Sequence, residues 1–100
     1  MITEIVTFDL PADMSRDDVL ARYQATLPRW RANPELIRKT YLYDPDGKRG
    51  GGVYLWKTLA AAQAAHDAEW CRMAEDTYGS APRFDYFEAT LFVENESLQD

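Results

Sequence analysis

The sequence predicts an α+β domain of the ferredoxin-like kind: a βαββαβ chain with two helices on one face of a four-stranded antiparallel sheet. Three observations lead there. Stretches of strand and helix character follow one another as β-α-β and again β-α-β, and the turn sequence Asp44-Pro45-Asp46-Gly47 joins the halves. The first helical stretch repeats large apolar residues at spacings of three and four, and the second is alanine-rich with no Gly or Pro. The run Val53-Tyr54-Leu55-Trp56 does not alternate apolar with polar, so both faces of that strand need cover. A length of 100 residues sets a single domain over 1–100, and 46% apolar content suffices for a packed core.

Ile2 to Leu10 is the first expected strand, with Ile2, Val6, Phe8 and Leu10 on one face and Ile5 on the other. Pro11-Ala12-Asp13 ends it. Ser15 is placed to cap a helix, and Asp17 and Asp18 suit its positive end. Leu20, Tyr23, Leu27 and Trp30 form the buried stripe of that helix, with a kink or break expected at Pro28 and an end at Asn33-Pro34. Leu36 to Tyr43 is the second strand and Gly51 to Lys57 the third, paired as a hairpin. The glycines leading into the third strand point to a bulge or a close backbone approach. Thr58 caps a second helix from Leu59 to about Thr77, with Leu59, Ala62, His66, Trp70 and Met73 facing inward. Gly79 and Pro82 stop it. Arg83 to Val93 is the last strand, and Glu94 to Asp100 a polar tail.

The net charge is −6 and the pI about 4.7, with basic residues scattered except at Arg29-Trp30-Arg31 and Arg38-Lys39. No nucleic-acid partner is expected from such a balance. Cys71 is the only cysteine, so neither an internal disulfide nor a cysteine-rich metal site is expected. The opening residues carry Glu4 and Asp9 and lack a basic start, and no apolar run reaches membrane-spanning length. A cytoplasmic location and no membrane partner follow as expectations.

Two helices cover one sheet face only. The strands nevertheless put Tyr54, Trp56, Phe84 and Tyr86 on one side and apolar neighbours on the other. Leaving either set in water exposes more apolar surface than a monomer usually shows. A homodimer with the two sheets packed face to face is therefore expected, closed by a two-fold axis.

Asn33-Pro34-Glu35-Leu36, then Lys39 and Tyr41, then Gly51-Gly52-Val53-Tyr54-Leu55-Trp56, and later Tyr86-Phe87-Glu88 carry a likeness over nearly the whole chain. In these residues the chain resembles the small monooxygenase-like proteins of the dimeric α+β-barrel superfamily, relatives of the antibiotic-biosynthesis monooxygenases. The resemblance implies a ferredoxin-like protomer, a dimeric barrel, and a pocket between helices and sheet in each protomer. It implies oxidation of a small aromatic or quinol-like compound by O2 with no cofactor and no metal, the deprotonated substrate supplying the electrons. The haem-binding histidine of some relatives would fall where this chain reads Met73-Ala74-Glu75-Asp76, so haem is not expected.

His66, the only histidine, is the candidate base, since a group titrating near neutrality can take a phenol proton. A packed core histidine is the competing reading. Lys39 is the candidate holder of an anionic oxygen, against a role in guarding a sheet edge. Tyr41, Tyr54 and Trp56 are the candidate lining of a flat aromatic slot, with Tyr23 and Trp30 as its opposite wall; plain core packing competes for each. Asp67 and Glu69 are expected as solvated helix charges. Two further functions share this scaffold: a non-catalytic small-molecule-binding dimer, and a proton-transfer enzyme of the muconolactone-isomerase kind.

Overall fold

In the computed structural model, residues 1–95 are described. The elements run β1 (Ile2–Asp9), α1 (Arg16–Arg31), β2 (Leu36–Asp44), β3 (Arg49–Trp56), α2 (Leu59–Ala65), α3 (Ala68–Tyr78) and β4 (Arg83–Glu88). The four strands form one antiparallel sheet in the order β2-β3-β1-β4. This is the ferredoxin-like arrangement, with three helices where the sequence suggested two.

Local chemistry explains most boundaries. Ser15 caps α1 reciprocally: its hydroxyl accepts from the Asp18 N–H and the Asp18 carboxylate accepts from the Ser15 N–H, each at 3.1 Å. Pro28 does not break α1, which continues to Arg31. Its missing N–H removes one bond within the last turn, where little helix remains to be lost. The turn after β2 is held by Asp44, whose Oδ1 accepts from the Asp46 and Gly47 N–H groups at 3.2 and 3.0 Å. Lys48, and not Gly47, takes the positive φ of that turn.

The expected second helix is divided. His66 leaves helical geometry (φ −108°, ψ 56°), and the Asp67 carboxylate accepts from the Trp70 N–H at 2.8 Å to start α3. Asp67 is thus a cap and not a bystander charge. The break shifts the inward stripe to Ala62, His66, Trp70, Ala74 and Tyr78, leaving Leu59 40% and Met73 44% exposed. The last strand stops five residues before the expected Val93, because its neighbour β1 runs out: Ile2 pairs with Glu88, and the Ala89 N–H reaches the Met1 carbonyl at 3.0 Å. Of the polar tail, residues 96–100 lie outside the described residues.

Register fixes the two faces. Glu4, Val6 and Phe8 of β1 share the helix-covered side with Tyr54 and Trp56 of β3, Lys39 and Tyr41 of β2, and Phe84 and Tyr86 of β4. The opposite side carries Ile5, Leu42, Val53, Leu55 and Phe87, and no described element lies over it. Phe87 is 56% exposed there.

Gly51 accounts for the close approach anticipated at the start of β3. Its φ is +153°, and a Cβ at this position would lie 1.8 Å from the Val6 carbonyl oxygen across the β1–β3 ladder. Gly51→Ala is therefore expected to destabilise the fold by about 2 kcal/mol or more, measured by chemical denaturation.

Candidate functional site

Between α1, α3 and the sheet lies a cavity of about 220 Å³. Val6, Phe8 and Tyr54 form its floor, Tyr23, Thr26 and Trp30 one wall, and Trp70, Ala74 and Tyr78 the other. Its lining is mostly aromatic and aliphatic. Lys39 enters at one end, and Arg22 also borders the space.

Tyr23 sets the height of the first wall. Its hydroxyl donates to the Leu42 carbonyl at 2.7 Å and accepts from the Gly51 N–H at 2.9 Å, tying α1 to the β2–β3 hairpin. Burial pushes its phenol above the ordinary value. Thr26 donates to the Tyr23 carbonyl at 2.7 Å, which leaves the Tyr41 hydroxyl to donate to the Thr26 oxygen at 2.6 Å. Tyr41 therefore braces α1 from β2 and packs against Tyr23, with ring centroids 4.8 Å apart and the planes tilted by 32°.

Lys39 has an unusual setting. Its Nζ lies 4.0 Å from the ring centroid of Tyr41, 4.4 Å from that of Trp30 and 4.5 Å from that of Tyr54. It makes no ion pair among the described residues. Gly52 makes room for it, since a Cβ there would come within 3.0 Å of the Lys39 Cε. Burial first, then the positive charge of Arg29, lower its pKa to about 7; Glu4 opposes this. Lys39 and Trp30 also border an open groove along β2, which includes Arg31, Arg38 and Tyr41. The amine thus stands at the boundary between the apolar cavity and this groove.

Beneath the cavity lies a polar cluster that the sequence reading missed. Glu4 is fully buried at 0% exposure. Its carboxylate accepts from Trp56 Nε1 at 2.8 Å, and His66 Nδ1 lies 2.8 and 2.9 Å from its two oxygens. His66 Nε2 and Trp30 Nε1 are buried with no hydrogen-bond partner among the described residues. The rings of Trp30, Tyr54, Trp70 and Phe84 surround the imidazole. Tyr86, beside this cluster, has its phenol pushed up to about 12, by burial first and the Glu4 charge second. The signal for Glu4 was present in β1: it falls in phase with Ile2, Val6 and Phe8, on the face otherwise chosen for apolar residues.

The seven sequence candidates therefore separate. Tyr23, Trp30, Lys39 and Tyr54 line the cavity. Tyr41 lines the groove on the far side of the Lys39 amine. Trp56 and His66 do not line the cavity; they lie in the packed layer around Glu4. Among the described residues, no group of three or more His, Cys, Asp or Glu side chains is arranged to hold a metal ion.

Glu4→Leu leaves two buried N–H donors, on Trp56 and His66, without an acceptor. It is expected to cost roughly 3 kcal/mol or more in denaturant unfolding. Lys39→Met has the opposite sign below neutrality. A depressed lysine pKa means that the folded chain bears the full cost of the buried ammonium below about pH 7, and that this cost fades as pH rises toward the unfolded value of 10.5. The variant is therefore expected to melt higher than the parent at pH 6, by about 4–8 °C for each kcal/mol relieved, with the gap narrowing as pH rises to 9.

No protein-family model matches the chain, and no curated protein matches it. Solved structures do. A protein of unknown function from Nitrosomonas europaea is similar at a TM-score of 0.74 and 14% identity, over 96% of this chain and 95% of that one. A monooxygenase from Streptomyces coelicolor, solved in complex with nanaomycin D, gives 0.70 and 14%, over 95% and 92%. SnoaB, a cofactor-independent oxygenase from Streptomyces nogalater, gives 0.66 and 15%, over 92% and 95%. With its sheet order and its helices on one face, the chain shares the ferredoxin-like α+β fold of these structures.

Proposed function

We propose that the protein is a cofactor-independent monooxygenase acting on a small phenolic or quinol-like aromatic compound. The observation that carries this reading is the Lys39 amine, held among three aromatic rings at the end of an apolar cavity. The cavity's size supports a small substrate: a 150 Å³ apolar cavity holds benzene, so about 220 Å³ suits one or two fused rings. The likeness to oxygenases that include a cofactor-independent one points the same way.

In this reading Lys39 takes two roles in succession. As the neutral amine it removes the phenolic proton, and as the resulting ammonium it holds the phenolate oxygen. The largely apolar lining strengthens that ion pair. The electron-rich phenolate then reduces O2. For a phenol whose ring bears an activated CH2 the balance closes without an outside reductant: one oxygen atom replaces the two hydrogens, and the other leaves with them as water. His66 is assigned a positioning role, because Glu4 engages its Nδ1 and the rings of Trp30, Tyr54 and Trp70 stand around it. Tyr54 and Trp30 would clamp the ring of the substrate, Tyr23 would fix the wall, and Tyr41 would flank the amine, while Trp56 anchors Glu4 below.

The working unit in this proposal is a homodimer in the cytoplasm. The open sheet face with Ile5, Leu42, Val53, Leu55 and Phe87 would pack on its copy, and the exposed Leu91, Phe92 and Val93 would extend the contact.

Oxygen uptake with matching quinone formation from 1-naphthol and its ring-hydroxylated relatives, whose keto tautomers carry the activated CH2, tests the activity. Turnover is expected to rise with pH through about 7 as Lys39 loses its proton, and Lys39→Met is expected to lower kcat/KM by about 10²-fold or more. His66→Ala is expected to reduce thermal stability but leave the limb near pH 7 in place; disappearance of that limb would make His66 the base. Ligand-induced stabilisation without oxygen uptake would reduce the reading to a binding protein, and a monomer in sedimentation at micromolar concentration would remove the barrel.

A further inference from the structure

We propose that Lys39 is also a covalent site, where its amine condenses reversibly with a small aromatic aldehyde or ketone to form an imine inside the cavity. The inference goes beyond the oxygenase reading, since it needs neither oxygen nor a phenol.

Two features of the geometry carry it. The amine makes no ion pair among the described residues and lies within 4.5 Å of three ring centroids, so no carboxylate is in direct contact with it and Glu4 acts on it only from a distance. It also borders both the apolar cavity and the groove along β2, so a carbonyl compound lying along the groove meets it as its ring enters the cavity. The charged and titratable groups around it are Arg29 of α1, Glu4 of β1, Tyr41 of β2 and Tyr54 of β3, with Arg22, Tyr23 and Tyr78 on the cavity walls and Arg31, Arg38 and Glu94 along the groove, where Glu94 is paired with Arg38. A lysine placed in an apolar pocket beside another cation is a known way to make a nucleophilic amine at neutral pH. The pKa of about 7 agrees with this placement. The other lysines differ: Lys48 donates its Nζ to the Met14 carbonyl at 2.9 Å, and Lys57 is exposed beyond the end of β3.

The chemistry balances without a co-reactant. The nitrogen lone pair adds to the carbonyl carbon, and a proton moves from nitrogen to the former carbonyl oxygen, giving a carbinolamine. That hydroxyl, protonated, leaves as water, and nitrogen loses its remaining proton as the C=N bond forms. The rings of Trp30 and Tyr54 favour a planar aromatic partner, because stacking and edge contacts hold the ring beside the new bond.

The test is reductive trapping on the full chain. The protein is incubated without oxygen at pH 7.5 with 2-naphthaldehyde and cyanoborohydride, then measured by intact mass and peptide mapping. One adduct is expected, on Lys39, at least tenfold above Lys48, Lys57 and the N-terminal amine. Saturating 2-methylnaphthalene, which fills the cavity and has no carbonyl, is expected to suppress it at least fivefold. Lys39→Met, which keeps the apolar stem and removes the buried cation, is expected to abolish it without lowering the melting temperature. Label spread evenly over the amines, or a Lys39 left unlabelled while the others react, overturns the proposal. Because oxygen is excluded, neither result depends on whether the oxygenase reading holds.

Discussion

The inner layer of the protein is organised around one carboxylate. Glu4 is out of reach of solvent, and a charge so placed costs several kcal/mol unless it is paired and hydrogen-bonded. Trp56 of β3 and His66 at the α2–α3 junction supply those bonds. One side chain from the edge of the chain thus fixes a neighbouring strand and the point where the helical layer bends. The tryptophan and tyrosine rings above take their positions from that anchored layer: Tyr54 and Trp56 stack nearly parallel, at 7°, and Trp30 meets both edge-on. The cavity is the space that this arrangement leaves between sheet and helices.

Lys39 and Glu4 share one face of the sheet but are stabilised differently. Glu4 is satisfied by directed donors. Lys39 is surrounded by ring faces, which attract a cation through their quadrupoles yet give it no acceptor for its protons. That attraction offsets only part of the lost hydration, and Arg29 adds repulsion, so the balance falls toward the neutral amine. The chemical interest of the site follows from this contrast: the acid is held in place and the amine is left available.

Much of the fold was legible in the sequence because it rests on short-range rules. Ser15 and Thr58 cap helices as hydroxyls at a helix start should, the Asp44 turn joins β2 to β3, and the glycine run marks a close backbone approach. What escaped depends on long-range pairing. The end of β4 is set by the length of β1, more than eighty residues away in sequence, and no local signal at Leu91 or Phe92 reports it. The helix break at His66-Asp67 lies in an alanine-rich stretch whose propensity favours continuity; Asp67 as a cap was the cue, and it competed with an unbroken run of good helix formers. In the site, Tyr23 and Trp30 followed from the three-and-four spacing of the first helix, whereas no alternation in Val53-Tyr54-Leu55-Trp56 marked which side of that strand turns inward. Glu4 was missed, because an acidic residue in a strand is ordinarily read as outward-facing. His66 was placed inward correctly, but sequence could not show that a layer of rings would stand around it.

The helix break divides labour within the domain. Every cavity residue that does not come from the sheet or from α1 belongs to α3, an eleven-residue segment with its own start signal at Asp67. On that segment Met73 and Thr77 border the cavity from less buried positions and can be exchanged for larger or smaller side chains without touching the carboxylate layer, whereas Trp70 packs on the imidazole of His66. Diversification of ligand preference across chains of this architecture can therefore proceed by rewriting one short module, while the rest of the scaffold is inherited intact.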